Sequence, residues 1–321
     1  MTALYASIDL GGTKIAGALA GTNGQIVAEK TIPTESQQGP EAVVQRIAGL
    51  ICDLAAQAGQ SPVALGIGVP GLIDLSSGTT RFLPNFPTNW RDVPVRDWLV
   101  PQINCPVYLL NDARMAALGE LTYGCGRSVG TMIFFTLGTG IGGGVVVDGR
   151  LRLGRLGAAG ELGHHTILPD GPRCGCGNRG CLETLASGPA IVGKGVWLMQ
   201  AGRAPRLHAL VEGNPARVTP REMALAAEAG DEAVREELIR AAQYIGIGVA
   251  NVVVTLHPEM VVLGGNVAGI GALLFDTVRQ TVRERVGMFP TDDVAIVESA
   301  LGNRAGLLGG IALAAAQGMV G

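Results

Sequence analysis

Residues 4–32 read LYASIDLGGTKIAGALAGTNGQIVAEKTI. An apolar run to Asp9 predicts a short strand. Gly11-Gly12 turns the chain, and 13–20 returns as a second strand. Asn23-Gly24 is a strong hairpin signal, because both residues tolerate the positive φ of tight turns, and 25–32 follows as a third strand. The same plan recurs at 131–149, where TMIFFTLGTGIGGGVVVDG gives a strand to Leu137, a turn over 138–144, a return over 145–147 and an Asp148-Gly149 hairpin signal. Residue identities repeat weakly, but the order of elements repeats. Two related β-meander halves are therefore expected, each offering one glycine turn to a shared cleft.

Helical segments separate the remaining strands. Gly39-Pro40 opens a helix to about Ala58, with Val43, Ile47, Leu50, Ile51 and Leu54 on one face. Runs at 64–69 and 107–110 are apolar throughout and predict buried strands. Between them, 76–106 reads as a long, partly irregular segment, with a short helix near 95–100. Helices are expected over 113–121, 189–200, 220–229, 231–249, from 266 to about 286 and over 305–317, with 202–220 as a linker. Apolar runs at 252–256 and 260–263 flank His257-Pro258, and 294–297 is a last strand. Sheets flanked by helices in duplicated halves make an α/β chain with mixed sheets and a ligand between lobes.

The chain has 321 residues, enough for two domains, and a net charge of -3 without a long basic run. Nucleic acid and anionic membrane are poor partners for such a surface. No basic segment precedes the first strand, so no signal peptide is read. The longest apolar stretch, 244–256, is too short and too interrupted by glycine to span a bilayer. A soluble, cytoplasmic protein is expected. Cys52, Cys105 and Cys125 lie in apolar surroundings and read as buried thiols.

Three motifs carry chemistry. In Asp9-Leu10-Gly11-Gly12-Thr13-Lys14, glycines let backbone N–H groups approach phosphate oxygens, Thr13 and Lys14 add a hydroxyl and a charge, and Asp9 could hold Mg²⁺ through water. A plain tight hairpin is the alternative. It is not a Walker loop, since no helix follows. Gly138-Thr139-Gly140-Ile141-Gly142-Gly143 matches a dinucleotide fingerprint in letters only. Strand residues rather than a helix follow it, so it reads as a second phosphate turn. Asp112 falls where a buried strand meets a helix. It could take a proton from a substrate hydroxyl oriented by Asn111, or simply cap the helix. Asn85, Asn111, Glu161 and Glu183 are polar groups suited to sugar hydroxyls. Gly264-Gly265-Asn266 suits a flat ring lying on bare backbone, or an ordinary strand-to-helix turn.

Residues 160–183 hold three of the six cysteines and two of the four histidines. A glycine-rich loop has no packing need for three thiols, whereas Zn²⁺ takes four S or N ligands in a tetrahedron and can give such a loop one shape. His164, Cys174, Cys176 and Cys181 are the candidate ligands, with His165 as the other possible nitrogen. Reduced thiols or a redox pair are the alternative.

These motifs, in this order and nearly end to end, resemble the ROK family of repressors and sugar kinases within the actin/hexokinase-like superfamily. Gly66-Ile-Gly-Val-Pro-Gly-Leu-Ile-Asp74, Asn111-Asp112-Ala113, Gly160-Glu161-Leu162-Gly163-His164 and Cys174-x-Cys176-Gly-x-x-Gly-Cys181-Leu182-Glu183 belong to the match. The resemblance implies a two-lobed actin-like ATPase (ribonuclease H-like) fold. It divides the chain into a smaller lobe, 1–115 with a C-terminal helix at 305–321, and a larger lobe, 116–304, carrying the zinc loop and a dimerisation surface. It implies ATP- and Mg²⁺-dependent phosphorylation of a hexose 6-hydroxyl, glucose first, with fructose, mannose and N-acetylated amino sugars as near alternatives. Asp112 then matches the catalytic base. Asn85, Asn111, Glu161, His164 and Glu183 match the sugar contacts, and His164, Cys174, Cys176 and Cys181 the zinc ligands. Asp9, Gly11, Gly12, Thr13, Lys14, Gly138, Thr139 and Gly140 match the phosphate loops, and Gly264, Gly265 and Asn266 the adenosine side. One nitrogen of His164 is expected on zinc and the other on a sugar hydroxyl. A homodimer or homotetramer is implied. His165 stands where many relatives carry an apolar residue such as Met, and Leu182 where many glucokinases of the family carry Trp. A repressor of this family places a helix-turn-helix domain ahead of the kinase-like fold, and no room for one is expected before Asp9. The other non-catalytic possibility is a sugar-binding protein without turnover, which the presence of Asp9, Asp112 and both glycine turns argues against.

Overall fold

The computed structural model describes residues 3–83 and 86–321. In chain order its elements are β1 (Tyr5–Leu10), β2 (Lys14–Ala20), β3 (Ile26–Pro33), α1 (Pro40–Ala58), β4 (Leu65–Val69), β5 (Leu72–Asp74), β6 (Thr79–Phe82), α2 (Val95–Ile103), β7 (Val107–Asn111) and α3 (Asp112–Tyr123). They continue with β8 (Met132–Leu137), β9 (Ile141–Val147), β10 (Arg150–Leu151), α4 (Leu182–Ala186), α5 (Gly188–Gln200), α6 (Pro205–Leu210), α7 (Pro220–Glu228), α8 (Glu232–Leu256), β11 (Met260–Gly264), α9 (Ala272–Arg285), β12 (Ala295–Glu298) and α10 (Ala305–Ala315).

Two five-stranded sheets share one plan. The first runs β3-β2-β1-β4-β7 and the second β10-β9-β8-β11-β12. In the first, β2 pairs antiparallel with β1 and β3, while β4 is parallel to β1 and β7. In the second, β10 is antiparallel to β9, and β11 is parallel to β8 and β12. The duplication expected from the two meanders is therefore present, with mixed sheets flanked by helices. The parallel strands are apolar on both faces because helices cover both, as in β4, where all five residues are buried.

The chain forms two compact units. The first comprises Met1–Gly130, Gly144–Gly160 and Ala300–Gly321, and the second Thr131–Gly143 and Glu161–Ser299. The first unit thus reaches beyond the 115/116 boundary drawn from the sequence. All of α3 belongs to it, because α3 packs along α10. Its core is built from β1, β4, β7 and α1, with Ile8, Leu10, Ile47, Ile51, Leu54 and Ile67 almost fully excluded from solvent.

The structure differs from the sequence reading in a few places. Within 76–106 the expected helix, α2, runs on to Ile103 rather than ending near 100. β6 lies within that stretch and pairs with β5 just ahead of it, and the guanidinium of Arg81 bonds to Asp74 at 2.8 Å and Asp92 at 2.6 Å. The 202–220 linker contains α6, whose Arg206 and Leu207 N–H groups donate to the buried carboxylate of Asp231. The apolar run at 252–256 is the last turn of α8, which ends only where His257 turns left-handed at φ 40°. α8 is the one described helix long and apolar enough to cross a membrane, and more than half of that stretch is buried inside its unit. Cys52 is exposed on α1, whereas Cys105 is buried.

Candidate active site and cysteine cluster

Strand register places the first unit's candidate residues at one sheet edge. Asp9 pairs with Gly68, and Gly68 with Leu110. Asn111 and Asp112 therefore lie one and two residues beyond the row that holds Asp9. Ligands of α/β sheets gather at such carboxyl ends. The helix cap here is Asn111, not Asp112. Its Oδ1 accepts from the Ala113 and Arg114 N–H groups at 3.1 and 3.3 Å, and its Nδ2 donates to the Gly71 carbonyl at 3.3 Å. Asp112 sits in the first helical turn and also accepts from the Ala113 N–H at 2.8 Å.

The turn at 11–13 is closed by the Gly11 N–H donating to the Lys14 carbonyl at 2.9 Å. The end of β3 holds it from outside. The Thr34 hydroxyl donates to the Gly11 carbonyl at 2.7 Å, and the Thr34 N–H to the Thr13 carbonyl at 3.0 Å. Thr13 and Lys14 are exposed beside it. Burial pushes the Asp9 carboxyl above its ordinary range, with Lys14 opposing. Gly306 of α10 approaches so closely that a side-chain carbon there would lie 3.3 Å from Asp9 Oδ2. Thr34 and Gly306 escaped the sequence reading, since neither lies in a motif.

The second unit repeats this edge with different groups. Thr136 pairs with Gly264, so it occupies the place that Asp9 holds in the first sheet. The turn spans only Gly138–Gly140, closed by the Gly138 N–H on the Gly140 carbonyl at 2.9 Å. Glycines 142–144 lie within β9, not in the turn as the sequence suggested. Glu183 in the first turn of α4 reaches this turn. Its Oε2 accepts from the Ile141 N–H at 2.8 Å, and a side-chain carbon on Gly140 would stand 2.4 Å from that oxygen. The Gly188 N–H donates to the Gly138 carbonyl at 2.8 Å, so the start of α5 holds the other side. Gly265, at φ 87°, lies against the Leu137 carbonyl, which a side chain there would strike. Packing on β8 accounts for that glycine.

The ligand atoms of His164, Cys174, Cys176 and Cys181 all lie within 4.8 Å of one another. Cys176 and Cys181 sulfurs are 3.8 Å apart, and His164 Nδ1 is 3.6 Å from the Cys174 sulfur. Tetrahedral zinc with Zn–S bonds of about 2.3 Å requires S···S separations of roughly 3.8 Å. An S₃N set so spaced fits that ion. Backbone bonds hold the loop: the Cys174 N–H donates to the Asn178 carbonyl, and the Gly180 N–H to the Pro172 carbonyl. Gly180 itself, at φ 63°, leaves no space for a side chain over the Leu168 carbonyl. His165 is not in the cluster. Its Nδ1 is buried without a hydrogen-bond partner, and burial pushes its pKa down. His164 turns its other nitrogen, Nε2, toward Glu161, 4.0 Å from Oε2. Cys181 caps α4 two residues before Glu183, so one short helix joins the cluster to the glycine turn. Asn85 lies outside the described residues.

Duplicated mixed sheets with a glycine turn at each first hairpin define the actin-like ATPase fold. The chain belongs to the ROK family, whose sequence profile matches residues 5–317. It is 37% identical over 305 residues to a glucokinase of Thermotoga maritima, covering 94% of each chain. It is 35% identical over 316 residues to a glucokinase of Streptomyces coelicolor, covering 97% of each. Among solved structures, a ROK family glucokinase from Streptomyces griseus in complex with glucose and AMPPNP superposes with a TM-score of 0.84 at 33% identity, covering 97% of this chain and 99% of that one. A ROK hexokinase from Thermus thermophilus gives 0.83 at 35% identity, with 98% of each chain covered. A xylose repressor of Caldicellulosiruptor bescii is 34% identical over 309 residues, which cover 95% of this chain and 76% of the repressor.

Proposed function

We propose that this protein is an ATP-dependent hexose kinase that phosphorylates the 6-hydroxyl of glucose. The observation that carries the reading is the placement of Asp112 at the start of α3, directly after β7 and on the same sheet edge as Asp9. Glucokinase relatives matched over nearly their full lengths support the same reaction.

Asp112 accepts the proton of the 6-hydroxyl as that oxygen attacks the γ-phosphorus of ATP, and ADP leaves in line. Bare backbone at Gly11–Gly12 and Gly138–Gly140 lets N–H groups approach the phosphates, and Lys14 adds positive charge. Asp9 would hold Mg²⁺, which neutralises charge on the transferring group when bound. Glu161, Glu183, Asn111, Asn85 and His164 Nε2 bind the sugar hydroxyls, and Gly264, Gly265 and Asn266 face the adenosine. His164, Cys174, Cys176 and Cys181 would hold a structural Zn²⁺ that fixes the loop bearing those contacts. The protein works in the cytoplasm as a homodimer or homotetramer. Metal content of purified protein tests the zinc, and light scattering tests the assembly.

A panel of glucose, fructose, mannose and N-acetylated amino sugars with coupled ADP detection tests the reaction, with polyphosphate as a second donor. Glucose is expected to turn over fastest with ATP. Turnover with glucose no faster than without sugar would end the reading. The repressor relative favours a second possibility, sugar-responsive DNA binding, which a specific, salt-dependent shift of operator-like DNA would establish.

A further inference from the structure

Arg114 is 2% exposed, in the first turn of α3, two residues after Asp112. Removing a guanidinium from water is costly unless its donors are taken up, so its position asks for a specific partner. One partner is the carbonyl of Ala159, which accepts from Arg114 Nε at 2.7 Å. Ala159 ends a glycine-rich, partly exposed loop. Gly154, Gly157 and Gly160 all adopt positive φ, at 66°, 70° and 93°, and Arg155 and Leu156 are exposed. Within the loop the Ala159 N–H donates to the Leu153 carbonyl and the Gly157 N–H to the Gly154 carbonyl, so it folds on itself. The same helix face meets β9 without a side chain between them. A carbon on Gly144 would stand 2.4 Å from Ala117 Cβ.

Beyond Ala159 the chain runs through Gly160 to Glu161, whose carbonyl accepts from the His164 N–H and opens the short helix bearing His164. We propose that Arg114 is a positioning residue for the sugar site: by gripping the Ala159 carbonyl it fixes the chain two residues ahead of Glu161. This inference rests on the sugar-binding reading of Glu161.

Arg114→Met removes the donor, and Arg114→Lys keeps a cation while losing the planar Nε–H geometry. Michaelis constants for sugar and for ATP, and hydrogen exchange of peptides covering 153–163, separate the possibilities. Loss of a hydrogen bond to a charged group predicts a sugar KM raised roughly ten-fold, with ATP KM and kcat changed less than about two-fold. Peptides over 153–163 should exchange faster while α3 keeps its protection. Arg114→Lys should move the same quantities in the same direction by less, and it decides the matter if the Met variant does not fold. A rise of both Michaelis constants together, or an unchanged sugar KM, overturns the positioning role. If wild-type protein phosphorylates no hexose, the function reading fails by itself. The exchange comparison still tests the grip, and unchanged exchange over 153–163 in the Lys variant overturns it.

Discussion

The two sheets place different chemistry on one backbone plan. At the edge of the first stand Asp9 and, after β7, Asp112. At the corresponding edge of the second stand Thr136 and, after β12, Ser299-Ala300-Leu301. The first glycine turn has charges beside it and is fastened by Thr34, a residue of its own meander. The second turn has no charged residue within it and takes a carboxylate from elsewhere, Glu183 of α4. Duplication thus supplied two equivalent turns, and their division of labour follows from the side chains. On the proposed function, the first sheet holds the charges that act on proton and phosphate. The second holds a turn tied to Glu183, a sugar contact on the same proposal.

The sharpest way to break this division is Asp112→Asn. Asparagine keeps the size and leaves the Asn111 cap intact, but it cannot take a proton. A general base contributes about 10²–10⁴-fold, so kcat should fall by that much while calorimetry still records sugar binding. Turnover within about two-fold of wild type would move the base elsewhere, and the first sheet would lose its chemical role.

Asp9 tests the same edge by pH. Burial raises its folded pKa, so the fold favours the protonated form. The stability it contributes is fully present below the unfolded pKa and is lost as pH rises through the folded one. Asp9→Asn should therefore raise the melting temperature near neutral pH and abolish Mg²⁺-dependent turnover. If Asp9 holds Mg²⁺ as proposed, protons compete with Mg²⁺ for this carboxylate. The acid limb of kcat/KM for ATP should lie above the ordinary carboxylate range and shift to lower pH as Mg²⁺ is raised. A limb indifferent to Mg²⁺ would remove Asp9 from the metal.

Gly140→Ala probes the link that only the second turn has. The new methyl would overlap Glu183 Oε2, so either the carboxylate leaves the Ile141 N–H or the turn opens. A hydrogen bond to a carboxylate is worth about 1.5–3 kcal/mol, which corresponds to ten-fold or more. Sugar and ATP Michaelis constants should both rise by that order, although Gly140 belongs on the proposed function to the phosphate turn alone. A rise confined to ATP would show that Glu183 serves the sugar without the turn.

Much of this contrast was legible before the fold. Apolar strand runs, Asn-Gly and Asp-Gly hairpins and two glycine turns carry the duplication locally, so it could be read from short windows. The Cys/His set could be read because no core explains such a composition. The fastenings could not. Thr34, Arg114 and Gly306 act on partners 23, 45 and 297 residues away (34 from 11, 114 from 159, 306 from 9), and nothing in their own windows distinguishes them. The cap of α3 was also ambiguous locally. Asn111 and Asp112 are both good capping types, and only the backbone decides that Asn111, still extended at φ -63° and ψ 143°, takes the role. The turn at 138–144 was read too long because glycine usually marks a turn, whereas here close packing of β9 admits Gly143 and Gly144 into a strand.

Thr34→Val measures the first turn's fastening and should be the smallest effect. It removes the hydroxyl that donates to the Gly11 carbonyl but leaves the Thr34 N–H on the Thr13 carbonyl, so the turn keeps one of two ties. A neutral hydrogen bond contributes about 0.5–1.5 kcal/mol, so the ATP Michaelis constant should rise only a few-fold. Sugar KM should not move, because this turn is fastened within its own meander and not by a residue that also faces the sugar. That asymmetry is the point of pairing it with Gly140→Ala. If Thr34→Val raises both constants equally, the first turn is coupled to the sugar as well, and the two turns differ in charge but not in connection.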